Sequence, residues 1–204
     1  GQRALEWMQN LGSRVVAGVT PGKGGQVVLG VPVYNSVLEA CTAYPEINAT
    51  CVYAPPRFAA AAAKEAIEAE ISLIHIIAEN IPTLDTVELL ELVKLKNSVL
   101  GTNAIRVIGP SSIGVLSPGK SAMGSLGAGS EAGLLLPESD QVTVEKKGGV
   151  VVLAKSGGMS LTVSHMISAE GIAISTIVGL GGDKISCTTY ADLLDLIAKD
   201  TEAW

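Results

Sequence analysis

Aromatic side chains make up only 3% of the 204 residues, with one Phe, two Trp and four Tyr. A core of any size must therefore be built from Ala, Val, Ile and Leu. Charged residues are also few, 17% against 48% hydrophobic, which excludes a disordered chain and favours a well-buried α/β protein. The net charge is -6, without a run of Lys or Arg, which excludes nucleic acid as a main partner. No apolar run reaches the length of a membrane span and no signal peptide is evident, so no membrane association is expected. Cys41, Cys51 and Cys187 show no pairing pattern and fit a reducing compartment. With His75 and His165 they lack any ligand spacing, so no metal site is expected.

Against this background one stretch organises the chain: Gly18-Val19-Thr20-Pro21-Gly22-Lys23-Gly24-Gly25. It lies between two strand-like runs, 14–17 and 26–29. Four glycines and a proline there predict a tight loop with unusual dihedrals. A lone Lys at its crest places one positive charge where a phosphate-bearing ligand could approach; the alternative is a solvated hairpin turn. Two better-known loops are excluded. A nucleotide-binding P-loop needs four residues between its first Gly and Gly-Lys, then Ser or Thr, whereas three residues separate Gly18 from Gly22 and Gly24 follows Lys23. A dinucleotide fingerprint from Gly22 would need Gly where Val27 stands, so a nicotinamide oxidoreductase has little support.

Leu5, Met8 and Leu11 share one face of a helix at the start of the chain. Ser36-Val37-Leu38-Glu39 has the capping-box pattern and opens a helix to about Thr42. A strand over 49–54, an Ala-rich helix over 58–70, a continuous apolar strand over 72–78, a helix over 84–95 and a strand over 104–108 follow. This alternation predicts a parallel doubly wound sheet, with ligand-type residues at the strand C-termini. The run Ala59 to Ala63 reads as helix propensity alone. Residues 111–147 change character and read as a junction with short strands. A strand over 149–154, the tight loop Lys155-Ser156-Gly157-Gly158, a helix over 159–169, a strand over 172–178, the loop 179–183 and a helix over 189–199 begin a second α/β unit. The chain opens and closes on helices, which suggests flanking strands lie outside it.

Ser156-Gly157-Gly158, between a buried strand and a helix start, suits an anion, and Gly181-Gly182-Asp183 could share its cleft. Ordinary βα turns are the alternative. Glu79 could accept hydrogen bonds from a ligand, or could simply stabilise the next helix's N-terminus. His75, inside an apolar strand, reads as a core histidine bonded to backbone, and His165 as structural or surface.

In order, the Lys23 block, Ile81-Pro82-Thr83-Leu84-Asp85, Ile108-Gly109-Pro110, Ser117-Pro118-Gly119 and Gly179-Leu180-Gly181-Gly182-Asp183 resemble succinyl-CoA synthetase α subunits across nearly the whole chain. The resemblance implies a Rossmann-like CoA-binding domain over 1–110 and part of a flavodoxin-like ligase domain over 111–204. It implies a nucleotide-dependent acid–CoA ligase working through an acyl phosphate and a phosphohistidine. Coenzyme A would be a cofactor, with ATP or GTP and Mg on a β-type partner subunit, in a hetero-oligomer of the cytoplasm or, in a eukaryote, the mitochondrial matrix. Lys23 would contact the CoA phosphates, Ile77, Ala78 and Glu79 would line the CoA edge, and Gly1 would close the family's first CoA loop. Ser156, Gly157 and Gly158 would meet the acid substrate or the phosphohistidine loop. The phosphohistidine itself would fall beyond Trp204, with neither His75 nor His165 replacing it.

The chain also departs from that family. Ser111-Ser112-Ile113-Gly114 stands where Asn-Cys-Pro-Gly is usual, and Leu161 stands where a substrate-contacting Tyr is usual. Ser156-Gly157-Gly158-Met159-Ser160 is more similar to ATP citrate lyase and citryl-CoA synthetase. The acid is therefore expected to be a di- or tricarboxylate, succinate ahead of citrate; a non-catalytic CoA-binding scaffold is the rival from another class.

Overall fold

A computed structural model describes residues 2–101, 104–126 and 149–200; the expectation placed on Gly1 and those on 127–147 lie outside these residues. The first helix, α1 (Gln2–Asn10), buries Met8. The chain then enters a small sheet of β1 (Gly18–Val19), β2 (Val27–Val28) and β3 (Val31–Tyr34), in the order β1-β3-β2, with β1 parallel and β2 antiparallel to β3. The β3 strand was not anticipated from sequence. Pro32 obscures its alternation, yet Val33 still donates its N–H to Gln26 O, and Val31 and Val33 are buried.

α2 (Val37–Ala43) is capped by Ser36, whose hydroxyl accepts from Glu39 N–H. β4 (Ala49–Val52), β5 (Leu73–Ile76) and β6 (Arg106–Ile108) form the expected parallel sheet, aligning Cys51 with His75 and His75 with Ile108. Its crossovers are α3 (Pro56–Glu68) and α4 (Thr83–Leu100). Pro56 opens α3 two residues earlier than expected, at the position where its fixed φ suits a helix start. The alanines of α3 do more than favour helix: Ala59, Ala60, Ala63 and Ala66 are buried with Ile67, Ile74, Ile76 and Leu89, so the small side chains let the helix sit close to the sheet. α4 runs on to Leu100 and stops at Gly101, whose φ of 66° makes the left-handed cap.

The second sheet has the order β8-β7-β10-β9, built from β7 (Gly114–Ser117), β8 (Ser121–Gly124), β9 (Val150–Ala154) and β10 (Ile174–Gly179). β9 and β10 are parallel, joined through α5 (Gly157–Ala169), but β7 runs antiparallel to both β8 and β10. This sheet is therefore mixed: the turn 118–120 is too short for anything but a hairpin. A final helix, α6 (Tyr190–Ile197), carries a capping box between Thr189 and Asp192. The start of the chain is tied to this sheet, because Trp7 Nε1 donates to Leu126 O and the Ser13 hydroxyl both donates to Ala122 O and accepts Ala122 N–H.

Candidate functional site

The Lys23 loop leaves β1 and returns into β2. Gly22 (φ 78°) and Gly25 (φ 84°) make its left-handed turns, which a side chain would strain. Each amide from residue 22 to 26 has a partner within the protein. Gly22 and Gly24 donate to Asn35 Oδ1 at 3.0 and 2.9 Å. Lys23 donates to Thr20 O, Gly25 to Val33 O and Gln26 to Lys23 O. What remains outward is the Lys23 side chain, which is exposed and has no ion pair or hydrogen bond among the described residues. The loop thus presents one charge on a fixed backbone rather than a cradle of free amides.

The C-terminal end of β5 leads into Ile77 and Ala78, both half-buried, and then to exposed Glu79. Their backbone is anchored on two sides. Ile77 N–H donates to Val52 O of β4, and Ala78 O accepts from Ser111 N–H. The same Ser111 turns its carbonyl to Gly182 N–H, so the corner 109–112 joins the end of β5 to the loop after β10. Leu180 N–H in turn donates to Ala154 O at the end of β9. The two glycine loops of the second sheet therefore do meet at one edge, and that edge is continuous with Ala78.

On that edge Ser156 caps α5, its hydroxyl accepting from Met159 N–H. Gly157 and Gly158 are the first helical residues rather than a separate loop. A Cβ on Gly157 would collide with the Ile113 side chain, so close packing there calls for glycine. Lys155 Nζ donates to Asp183 O at 3.2 Å, bridging the two loops. Leu161 is half-buried and packs against the core of the second sheet with Leu116, Val152 and Ile177.

His75 is fully buried, and its Nε2 lies 3.0 Å from both the carbonyl and the hydroxyl of Ser112. Burial pulls its pKa down to about 4, partly opposed by the bond to Ser112, so it is neutral. It is a core histidine, as its sequence context indicates. His165 lies within α5 with a buried Nε2 that has no partner. The three cysteines are free, and burial raises Cys51 to about 11 and Cys187 to about 12. Sequence reasoning passed over Asn35, and it marked Ser111-Ser112 only as a departure from the family's pattern, not as a buried corner. Asn35 sits directly before the capping serine, a position whose side chain can reach neighbouring backbone, whereas nothing local marks Ser112 as buried.

The family described as CoA binding domain matches residues 2–80. The α 2 subunit of ADP-forming succinate–CoA ligase from Archaeoglobus fulgidus is 38% identical over 202 residues, covering 99% of this chain and 63% of that subunit. The corresponding α subunit from Staphylococcus epidermidis is 37% identical over 195 residues, covering 96% of this chain and 57% of its own. ATP citrate lyase from Methanothrix soehngenii, solved in complex with citrate and coenzyme A, shares the fold at a TM-score of 0.73 and 22% identity, over 96% of this chain and 32% of that one. Dinucleotide forming acetyl-coenzyme A synthetase 1 from Ca. Korarchaeum cryptofilum matches at 0.65 and 20%, over 98% and 39%. The chain thus spans less than two thirds of the length of the curated relatives it matches. Residues 2–80 match the CoA binding domain family, and nearly the whole chain is similar to succinate–CoA ligase α subunits.

Proposed function

We propose that this chain is the CoA-binding, α-type portion of a nucleotide-dependent acid–CoA ligase. The observation that carries the reading is the Lys23 loop: a cation without a partner among the described residues, held on a backbone whose amides from 22 to 26 are already satisfied. An ammonium so placed meets the diphosphate of coenzyme A without first giving up an ion pair. Ile77 and Ala78 give the ligand a half-buried strand end, and Glu79 an exposed acceptor beyond it. These residues fit the cofactor. When bound, coenzyme A supplies the thiol that takes the acyl group.

Ser156, Gly157 and Gly158, at the start of α5, are the proposed acid-binding segment, with Leu161 one turn further along. The helix start favours a carboxylate or phosphoryl oxygen there. ATP or GTP, with its Mg, belongs in this reading to a β-type partner subunit, and the assembly is a hetero-oligomer of the cytoplasm or mitochondrial matrix. Among the described residues no helix is long and apolar enough to cross a membrane. Neither histidine is assigned a phosphoryl-carrying role: His75 is fully buried and bonded to Ser112, and His165 has its Nε2 inside the structure.

The domain division proposed is a CoA-binding unit over 1–110 and a ligase unit from 111 onward, with the corner 109–112 as their joint. A second reading, citrate in place of succinate, is favoured by Leu161. An aliphatic side chain packed into the core offers a small dicarboxylate no hydroxyl, and lost polar contacts change specificity more than lost methylenes do. The full-length protein with its partner subunit, assayed for acid- and nucleotide-dependent thioester formation, tests this. Turnover with succinate or with citrate supports a ligase and names the acid. Coenzyme A binding without turnover on either acid would instead make the chain a scaffold.

A further inference from the structure

We propose that Asn35 is the positioning residue for the Lys23 charge, with Gly24 as its seat. The inference deepens the reading above and rests on it. Asn35 Oδ1 accepts from Gly22 N–H at 3.0 Å and from Gly24 N–H at 2.9 Å, so it grips the backbone immediately before and after Lys23. Two backbone donors on one atom also fix which end of the carboxamide faces the loop, because an amide nitrogen could accept neither. Asn35 is itself held: its N–H donates to Glu39 Oε2 at 2.9 Å, and Glu39 N–H donates to the capping Ser36 hydroxyl. The position of the loop is therefore referred, through one side chain, to the first turn of α2.

Gly24 supplies an independent observation. Its φ is not in the left-handed region, so its dihedral does not require glycine. What requires it is space: a Cβ at residue 24 would collide with the Asn35 carboxamide, while one at Gly22 or Gly25 would meet nothing within 4 Å. The glycines at 22 and 25 thus serve the turn, and the glycine at 24 serves Asn35. A backbone ordered before the ligand arrives lowers the entropy lost on binding. Because the clamp uses the neighbouring amides, affinity falls to where the Lys23 stem is rooted.

The test uses the full-length chain and coenzyme A, titrated calorimetrically into the wild type, Lys23→Ala, Asn35→Ala, Gly24→Ala and the Asn35→Ala/Gly24→Ala double variant. Thermal midpoints and amide exchange of the segment 20–26 are measured alongside. Asn35→Ala and Gly24→Ala are each expected to weaken binding about tenfold, and the double variant no further than the worse single one. Exchange at residues 22 and 24 rises in Asn35→Ala with little change in midpoint, and Asn35→Asp, which keeps the accepting oxygen, restores the protection. Wild-type affinity in Asn35→Ala beside a weakened Lys23→Ala overturns the inference alone, as does an additive double variant. An unweakened Lys23→Ala overturns the reading on which it rests.

Discussion

His75 on β5 and Ser112 in the corner after β6 form a buried polar joint between the two sheets. The Ser112 hydroxyl donates to Gly179 O of β10 and accepts from Gly114 N–H, while its carbonyl, able only to accept, fixes the proton of His75 on Nε2. His75 Nδ1 is left as an acceptor without a partner in the interior. The joint connects the parallel sheet that leads to Ala78 with the mixed sheet that leads to Ser156.

This joint makes stability depend on pH. The folded pKa of His75, about 4, lies below the ordinary value of 6.5, so the unfolded chain binds the proton more tightly. The contribution is complete above about pH 6.5 and is lost as pH falls toward 4. Urea midpoints at about pH 7 and about pH 5 should show the wild type losing about 2 kcal/mol through this residue. His75→Gln, which keeps a donor toward Ser112 but does not titrate, should be less stable at neutral pH and lack that increment. Parallel pH profiles for the two proteins would refute it.

Gly157→Ala puts a methyl group into the Ile113 side chain. Overpacking of this kind costs about 1–3 kcal/mol, read as a drop in the chemical-denaturation midpoint. Ile113→Ala removes the obstructing atoms, so the double variant should recover part of what the glycine change lost. Strict additivity of the two losses would show that the contact does not constrain the start of α5.

The thiols should differ in reactivity. Cys51 and Cys187 are held mostly protonated by burial, to about 11 and about 12, whereas Cys41 is raised by weaker burial and by Glu65. Alkylation of the native protein at about pH 8, followed by peptide mass analysis, should label Cys41 first and the other two only on unfolding. Equal labelling of all three would contradict the packing around β4 and around Gly109, whose carbonyl accepts Cys187 N–H.

The parallel sheet was legible because each apolar run ended in a loop signal and the runs alternated with helix-length segments. The mixed character of the second sheet was not, since strand direction there depends on which neighbour the hairpin 114–124 finds. Pro32 hid β3, and the polar run Lys96 to Ser98 hid the last turn of α4, where Asn97 bonds both N–H and C=O of Ile105. The Lys23 loop stood out in the sequence by its glycines. Its clamp did not, because Asn35 lies eleven residues from Gly24 and only the hairpin brings them together.

The most direct test of the account is the affinity of coenzyme A for the full-length chain with and without the Lys23 ammonium. Calorimetric titration of Lys23→Ala at low salt should give binding about tenfold weaker or worse, with an unchanged thermal midpoint, since a charge-assisted contact contributes about 1.5–3 kcal/mol. Equal affinity in the two proteins would contradict it.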